Sequence, residues 1–274
     1  MKNTLSRFFL GALLAASVGW NAARAAENGP KLGIQTWTCR DMDFDQVVAF
    51  AEQHGVKYLE MIAKHIDPKG PREETLRKKA ILDQHGLVCY SFGVNGTSMD
   101  KEDNRKLFEF AKLMGISVIV VEPHNMAEWD NLEQLVKEYD IRLAIHNHGT
   151  GSTYGDPATV QKVLAARDPR IGVCLDVGWV TAAGFDAAKV FRDYHGRVFD
   201  MHLKDKKAEM KDGKTKWEDV PVGTGEANLT GLFAEVKKEG WSGVMAIETD
   251  SGELAKDPAR AVEPAKALFA KLTK

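Results

Sequence analysis

Short apolar runs alternate with longer amphipathic segments along almost the whole chain, and this alternation constrains the fold more than any other feature. Eight runs rich in β-branched residues have the length of buried strands: Leu32–Trp37, Val56–Met61, Leu87–Phe92, Ile116–Val121, Ile141–His146, Ile171–Leu175, Val198–Leu203 and Val244–Ile247. The segments between them, such as Asp43–Gln53, place apolar residues at i, i+3 and i+4, which predicts helices with one buried face. The pattern therefore predicts eight strand–helix units in a parallel sheet that is buried on both faces.

Several of the predicted helices end in the same way, which supports the division into repeated units. Each is followed by a glycine, the usual stop signal, and a new apolar run then begins within a few residues; these glycines are Gly55, Gly86, Gly115 and Gly240. Eight such units in about 250 residues match the size of a closed (β/α)8 TIM barrel that forms a single domain. An open doubly wound sheet is the main alternative, but no G-x-G-x-x-G motif follows the first run and no linker divides the chain.

One connection is longer than the others. It runs from Lys204 to Asn228, after the seventh apolar run, and is rich in Lys, Asp and Gly. Loops of this length at the catalytic end of a barrel are commonly lids or substrate-facing inserts. We therefore expect a long loop here that faces the substrate.

The first 25 residues have the pattern of a secretory signal peptide. A basic start is followed by an almost wholly apolar stretch from Phe8 to Trp20 and by the small-x-small signal Ala23-Arg24-Ala25. We assign residues 1–25 to a signal peptide, with an uncut membrane anchor as the alternative, and residues 26–274 to the barrel. The protein is expected to be exported, with the periplasm as its compartment and without stable membrane insertion after cleavage. Cleavage removes three basic residues and changes the net charge from −2 to −5, which argues against a nucleic-acid partner.

Ionisable side chains stand at the ends of most of the apolar runs, which is where a barrel of this kind carries its active site. Buried groups of this type are costly unless they are paired or bind a ligand. His146, Asp176, His202 and Glu248 come from the last four runs, so they can surround one point near the barrel axis. Two imidazoles and two carboxylates suit a divalent metal such as Mn, Co, Zn or Mg. We predict a metal site here; the alternative is a set of ordinary hydrogen-bonding groups at strand ends.

Several motifs give the chain a resemblance to the xylose-isomerase-like TIM-barrel family, which includes sugar-phosphate isomerases, ketose 3-epimerases and inositol-pathway dehydratases. They are Gly33-Ile34-Gln35, Tyr58-Leu59-Glu60, Leu143-Ala144-Ile145-His146-Asn147-His148-Gly149, Cys174-Leu175-Asp176-Val177-Gly178, His202-Leu203-Lys204-Asp205, Val222-Gly223-Thr224-Gly225 and Ala246-Ile247-Glu248. The resemblance implies a metal held by Asp176, His202 and Glu248. The fourth ligand of the family is a Glu on the fifth strand, where this chain has His146.

The resemblance also implies a reaction. The family removes a proton from the carbon next to a sugar carbonyl, through an enediolate that a divalent metal stabilises. Our main expectation is therefore a sugar isomerase or epimerase. Because two-base epimerases of the family use a carboxylate where His146 stands, β-elimination from a 3-keto-glycoside by a lyase or hydratase is an alternative. A second alternative is a non-catalytic periplasmic sugar-binding protein.

The same strand ends supply the expected catalytic groups. The base is Glu248 or a carboxylate across the pocket, such as Glu60 or Glu122. His148 lies two residues after His146, and we expect it to donate to a substrate oxygen or act as an acid. Lys204 is expected to polarise a substrate oxygen or bind an anionic group.

The expected partner is a small carbohydrate. Trp37 and Trp179 are expected to pack against its ring, although packing at the barrel mouth is the alternative for both, and Glu122 and Lys204 to contact its polar groups. Assembly into a homo-oligomer stays open at this point.

Overall fold

Eight parallel strands close into a barrel in the computed structural model, which describes residues 29–274. The barrel strands are β1 (Lys31–Gln35), β2 (Tyr58–Met61), β3 (Val88–Asn95), β4 (Val118–Val121), β5 (Arg142–His146), β6 (Ile171–Asp176), β7 (Val198–Leu203) and β10 (Val244–Ile247). Strand β10 pairs with both β7 and β1 and so completes the ring. The predicted (β/α)8 barrel is confirmed. The predicted signal peptide, residues 1–25, lies outside the described residues.

Helices follow the barrel strands and cover the outside of the barrel. They are α1 (Phe44–Gln53), α2 (Arg72–Gln84), α3 (Lys101–Met114), α4 (Glu128–Tyr139), α5 (Pro157–Ala166), α6 (Val177–Ala182), α7 (Ala187–Asp193), α8 (Leu229–Glu239), α9 (Gly252–Lys256) and α10 (Ala259–Leu272), with a 3₁₀ helix at Thr36–Cys39. Helix α1 begins where Asp43 and Gln46 form a reciprocal capping box. Within residues 29–274, no helix has both the length and the apolar character needed to cross a membrane.

The strands alternate between two apolar environments, as expected for a barrel that is buried on both sides. In β4, Ile119 and Val121 join the large core between barrel and helices. Their neighbours point to the other face and belong to a smaller cluster of Val118, Val120, Ala144 and Cys174. Because Asp176 lies two residues after Cys174 on β6, it shares the face of that smaller cluster, which is the barrel interior.

The long connection after β7 contains regular structure that the apolar pattern did not reveal. Strands β8 (Asp205–Lys211) and β9 (Lys214–Val220) form an antiparallel hairpin outside the barrel sheet. Its two-residue turn is Asp212-Gly213, with φ values of 53° and 71°, and an Asp-Gly pair with two positive φ angles is typical of a tight hairpin turn. The long connection that the sequence predicts is therefore present, and residues 205–220 of it form a hairpin.

The carboxylate of Asp205 organises the segment that follows the hairpin. Its Oδ2 accepts hydrogen bonds from the backbone N–H groups of Gly223, at 2.9 Å, and Gly225, at 2.8 Å, and its Oδ1 accepts one from Ala227 at 3.1 Å. A Cβ atom at Gly225 would lie 2.2 Å from Asp205 Oδ1. The Val222-Gly223-Thr224-Gly225 motif is thus explained by a backbone that must approach a buried carboxylate closely.

The Asp205→Ala variant is expected to lower the free energy of unfolding by about 3 kcal/mol, because three backbone donors in partly buried hydrogen bonds lose a charged acceptor. Chemical denaturation measures the loss. The matched control is Glu226→Ala, which removes an exposed carboxylate with one backbone hydrogen bond in the same segment and should cost about 1 kcal/mol or less. Equal losses in the two variants would contradict this role of Asp205.

Candidate active site

Three of the four predicted metal ligands converge at the carboxyl ends of neighbouring strands. His146 ends β5 and Asp176 ends β6, while His202 lies near the end of β7. Asp176 Oδ2 lies 3.5 Å from His146 Nε2 and 3.6 Å from His202 Nδ1, and one ligand atom from each residue lies within 4.8 Å of the others. Glu248 follows β10, and its Oε2 is 3.8 Å from His202 Nδ1. The fourth residue therefore borders the cluster beside His202.

Asp176 is held in place by the start of the following helix. Its Oδ1 accepts a hydrogen bond from the backbone N–H of Trp179 at 2.8 Å and so caps α6, which leaves Oδ2 directed at the two imidazoles. The buried Asn147 fixes the backbone of the same residue, because its side chain donates to Asp176 O and accepts from Asp176 N. The cluster is thus built on rigid strand ends.

His202 is oriented from inside the barrel by Glu60. Its Nε2 lies 3.0 Å from Glu60 Oε2, and its Nδ1 lies on the side of Asp176. With a metal bound at Nδ1, Nε2–H would donate to Glu60. Glu60 is fully buried, and next to it Tyr90 donates to Asp200 Oδ1 at 2.8 Å. Burial, together with the negative charge of Glu60, raises the pKa of Asp200 well above its usual range. Glu60 thus lies behind His202, away from the cavity where the sequence placed a candidate base.

The donor set fits a divalent cation. Within residues 29–274, three of its buried atoms form no hydrogen bond, namely Asp176 Oδ2, His202 Nδ1 and Glu248 Oε2, and the two carboxylate oxygens instead contact the ammonium group of Lys204. A shared divalent cation would bind all three atoms and would compensate the two carboxylates in place of that ammonium group. Imidazole nitrogen and carboxylate oxygen are ligands that Zn, Mn and Co accept.

The ammonium group of Lys204 lies among the carboxylates of Asp176, Glu248 and Asp250. Its side chain is 2% exposed, and Nζ lies 3.2 Å from Asp176 Oδ2 and 2.6 Å from Asp250 Oδ2 and also contacts Glu248 Oε2. Burial alone would lower the pKa of Lys204, but these carboxylates raise it well above its usual value. Gly178 makes room for the lysine, since a Cβ there would lie 2.6 Å from Lys204 Cγ.

A cavity of about 360 Å³ opens onto this cluster. It is lined by five of the predicted site residues, which are Trp37, His146, His148, Lys204 and Glu248, and also by Gln35 and Asp250. Asp176 and His202 lie fully buried beside it. A small ring in this cavity would therefore contact the lysine, two imidazoles and one predicted base.

His148 and Glu122 form a pair at the wall of this cavity. His148 Nδ1 donates to Glu122 Oε2 at 2.6 Å, and the same oxygen lies 3.9 Å from His146 Nδ1. Burial acts to raise the pKa of Glu122, but the two imidazoles lower it to about 2, so the group is a carboxylate at neutral pH. With Nδ1 held by the carboxylate, the other ring nitrogen, Nε2, can pass a proton to a neighbouring oxygen when it is protonated.

The two predicted aromatic residues have different surroundings. Trp37 is 42% exposed at the cavity wall, with the Arg40 guanidinium 5.0 Å from its ring. Trp179 lies farther out, where Lys206 Nζ is 3.7 Å from the ring centre and the His148 ring meets it edge-on. Trp37 is therefore placed to contact a ring beside the four predicted metal ligands, which are called the metal cluster below. Trp179 borders a second cavity next to this one.

Sequence reasoning missed several residues of the site. Asp200 could have been found, because it lies two residues before His202 and so shares its inward face. Lys206 and Asp219 belong to the hairpin, whose polar strands give no apolar run. In the structure Lys206 Nζ contacts Asp219, and Asp219 Oδ2 accepts from Thr249 and from the backbone of Asp250. The hairpin is thereby attached to the end of β10.

Comparison with known proteins identifies the family. A sequence profile described as a xylose isomerase-like TIM barrel matches residues 48–271. The chain belongs to the xylose isomerase-like TIM barrel family.

Named relatives and solved structures agree with this placement. An inosose dehydratase of Clostridium perfringens is 25% identical in an alignment 280 positions long, which covers 83% of this chain and 92% of that protein. The IOLI protein, solved with a bound zinc atom, superposes with a TM-score of 0.68 at 20% identity over 89% of this chain and 98% of its own. The probable 3-DHS dehydratase AsbF from Bacillus anthracis superposes with a TM-score of 0.69 at 15% identity over 87% and 98%. The two structures show the shared fold, and the curated relatives are enzymes; we conclude that this chain is an enzyme.

Proposed function

We propose that the chain is a metal-dependent lyase that expels a group from a cyclic sugar ketone by β-elimination. One observation carries the proposal: the cavity beside the metal cluster is lined by one predicted carboxylate base, Glu248, and one carboxylate-held imidazole, His148. Elimination needs one base and one acid, whereas epimerisation needs a base on each face of the ring. The names of the curated relatives, which are dehydratases, support the same choice.

We propose that His146, Asp176, His202 and Glu248 hold the metal. Its charge would stabilise the negative charge that develops on the substrate oxygens as the proton leaves carbon. The convergence of ligand atoms from His146, Asp176 and His202 supports this assignment, and so does the zinc in the structure of the related IOLI protein.

We propose 3-keto-glycosides as the substrates. Glu248 takes the proton from carbon 2, next to the carbonyl at carbon 3, and the electron pair of that C–H bond forms the new double bond to carbon 1. The bond between carbon 1 and the leaving-group oxygen breaks, and His148 donates a proton to that oxygen. In the metal-free protein, burial raises the pKa of Glu248 although Lys204 acts in the opposite direction.

The proposal is tested by NMR in D2O with Mn or Co, using methyl 3-keto-β-glucoside and free ketoses as separate substrates. The lyase releases methanol and forms an unsaturated ketone, and it does not convert the free ketoses. Deuterium incorporation or a change of configuration without methanol release would instead support the isomerase or epimerase. His148→Gln should lower the rate of release by about 100-fold, as expected for the loss of an acid.

We also propose that the enzyme works outside the cytoplasm. The support is the signal-peptide pattern of residues 1–25, together with the unphosphorylated substrate class proposed above. Fractionation of cells that produce the full chain tests this: a shortened chain in the periplasmic fraction is expected, and a full-length chain in the cytoplasm would contradict it.

A further inference from the structure

A second cavity adjoins the one beside the metal cluster, and the proposed elimination leaves it unused. Its volume is about 470 Å³, and His148 lines both cavities. Since His148 is the proposed acid, the bond that breaks would lie near the boundary between the two cavities. The second cavity is therefore on the side where a leaving group departs.

The wall of this cavity is aromatic and hydroxylated. Besides His148 it includes Trp179, Trp217, Thr150, Ser152 and Thr215. Within the described part of the chain, no Asp, Glu, Lys or Arg lines it. Two polar atoms of its wall residues, Trp179 Nε1 and Ser152 Oγ, are buried and have no hydrogen-bond partner among the described residues. Such atoms are usually satisfied by an ordered water molecule.

The aromatic wall is held by specific contacts. Trp179 packs against the backbone of Gly149, where a Cβ atom would lie 2.7 Å from the indole ring. Lys206 lies 3.7 Å from the same ring and is itself fixed by Asp219 of the hairpin. Trp217 is on β9, opposite Ala208, so the hairpin supplies the second indole. The hairpin thus forms part of the cavity wall.

We propose that this cavity is a subsite for the leaving group, and that the group it takes is a neutral, hydroxylated ring, namely a second sugar unit. The inference rests on the proposed function. Indole rings provide broad apolar surfaces with a polar edge, hydroxyl side chains provide adaptable hydrogen bonds, and the absence of charged walls disfavours an ionic group. The substrate class is then a keto-disaccharide whose keto ring lies in the cavity beside the metal cluster.

Binding without reaction tests the subsite independently of the chemistry. Isothermal titration of the metal-loaded wild type with cellobiose, maltose, trehalose and methyl β-glucoside should show at least one disaccharide bound more tightly than the monosaccharide. Trp217→Ala should weaken binding of that disaccharide about tenfold, which corresponds to about 1.4 kcal/mol, and leave methyl β-glucoside unchanged. The matched control is Lys216→Ala, at the exposed neighbour of Trp217 on the other face of β9 and outside the cavity wall, which should change neither affinity.

Kinetic measurements distinguish failure of the subsite proposal from failure of the elimination proposal. With 3-keto derivatives of the same sugars, Trp217→Ala should raise KM for the disaccharide about tenfold and leave kcat/KM for methyl 3-keto-β-glucoside unchanged. If the wild type binds all sugars equally, or if Lys216→Ala has the same effect as Trp217→Ala, the subsite is wrong. If binding depends on Trp217 but the wild type releases no leaving group, the subsite stands and the elimination proposal fails. Unchanged circular dichroism and unfolding midpoints of the variants show that both remain folded.

Discussion

The Asp176→Ala variant is expected to lose its bound metal and at least about 1000-fold in kcat/KM. Asp176 Oδ2 lies between His146 Nε2 and His202 Nδ1, at 3.5 Å and 3.6 Å, so its removal takes away the central anionic ligand. Elemental analysis of the purified protein, expressed as metal per chain, measures the first effect, and release of methanol from methyl 3-keto-β-glucoside measures the second.

Asp176 also caps a helix, and a matched control separates that role from metal binding. Asp186 caps α7 by accepting from the backbone N–H groups of Ala188 and Lys189. Asp186→Ala should therefore lose about 1 kcal/mol of stability, as cap removal usually does, and keep its metal and its activity. A metal content in Asp176→Ala equal to that of the wild type would contradict the proposed ligand set.

The Lys204→Met variant is expected to lose about 3 kcal/mol of stability in metal-free protein and at least about 100-fold in kcat/KM. The change leaves the buried carboxylates of Asp176 and Glu248 and the neighbouring Asp250 without the ammonium group that they contact. Urea unfolding with and without metal measures the first effect, because a bound cation should restore part of the lost stability. Steady-state kinetics measure the second.

Lys206 provides the matched control for Lys204. It is equally buried and contacts Asp219, with no contact to Asp176 or Glu248 among the ion pairs of residues 29–274. Lys206→Met should therefore destabilise the protein but change turnover of methyl 3-keto-β-glucoside much less than Lys204→Met does. Equal losses of turnover would show that Lys204 has no special part in the reaction.

The pH range of the Lys204–Asp176 ion pair follows from its pKa shifts. The pKa of Lys204 is raised well above its usual value, so its contribution to stability is present in neutral solution and is lost only as the pH rises through the raised pKa. Burial alone would raise the pKa of Asp176, but Lys204 and His146 lower it well below its usual value. The contribution of Asp176 to stability is present above the pKa that this group has in the unfolded chain. It is lost as the pH falls from there through the lowered pKa of the folded protein. The pair therefore stabilises the protein throughout the neutral range.

The fold could be predicted from sequence because barrel strands buried on both faces leave a repeated apolar signal. The hairpin could not be found in that way, since its strands face solvent and carry residues such as Lys207, Glu209 and Lys214. The Asp212-Gly213 turn was the available signal, and its positive φ angles show why those two residues stand there.

The sequence predicted which residues at the strand ends form the site, but it did not predict the contacts between them. The hydrogen bond from His202 to Glu60 joins residues 142 positions apart, and it depends on the width of the closed barrel. The position of Lys204 likewise follows from Gly178 on the neighbouring segment, which sequence spacing does not reveal. His146 stands where the resemblance implies a Glu, and Glu122 Oε2, at the end of the neighbouring β4, lies 3.9 Å from it. The Glu122 carboxylate accepts a hydrogen bond from His148. The cavity wall therefore combines a proposed acid, His148, with a proposed base, Glu248.

A crystal of the protein grown with manganese, examined by anomalous scattering, tests the central claim most directly. We predict one strong peak per chain, within bonding distance of His146, Asp176, His202 and Glu248, with the Lys204 ammonium displaced toward Asp250. A peak only at Glu122 and His148, or no peak at a metal concentration that supports turnover, would contradict the account.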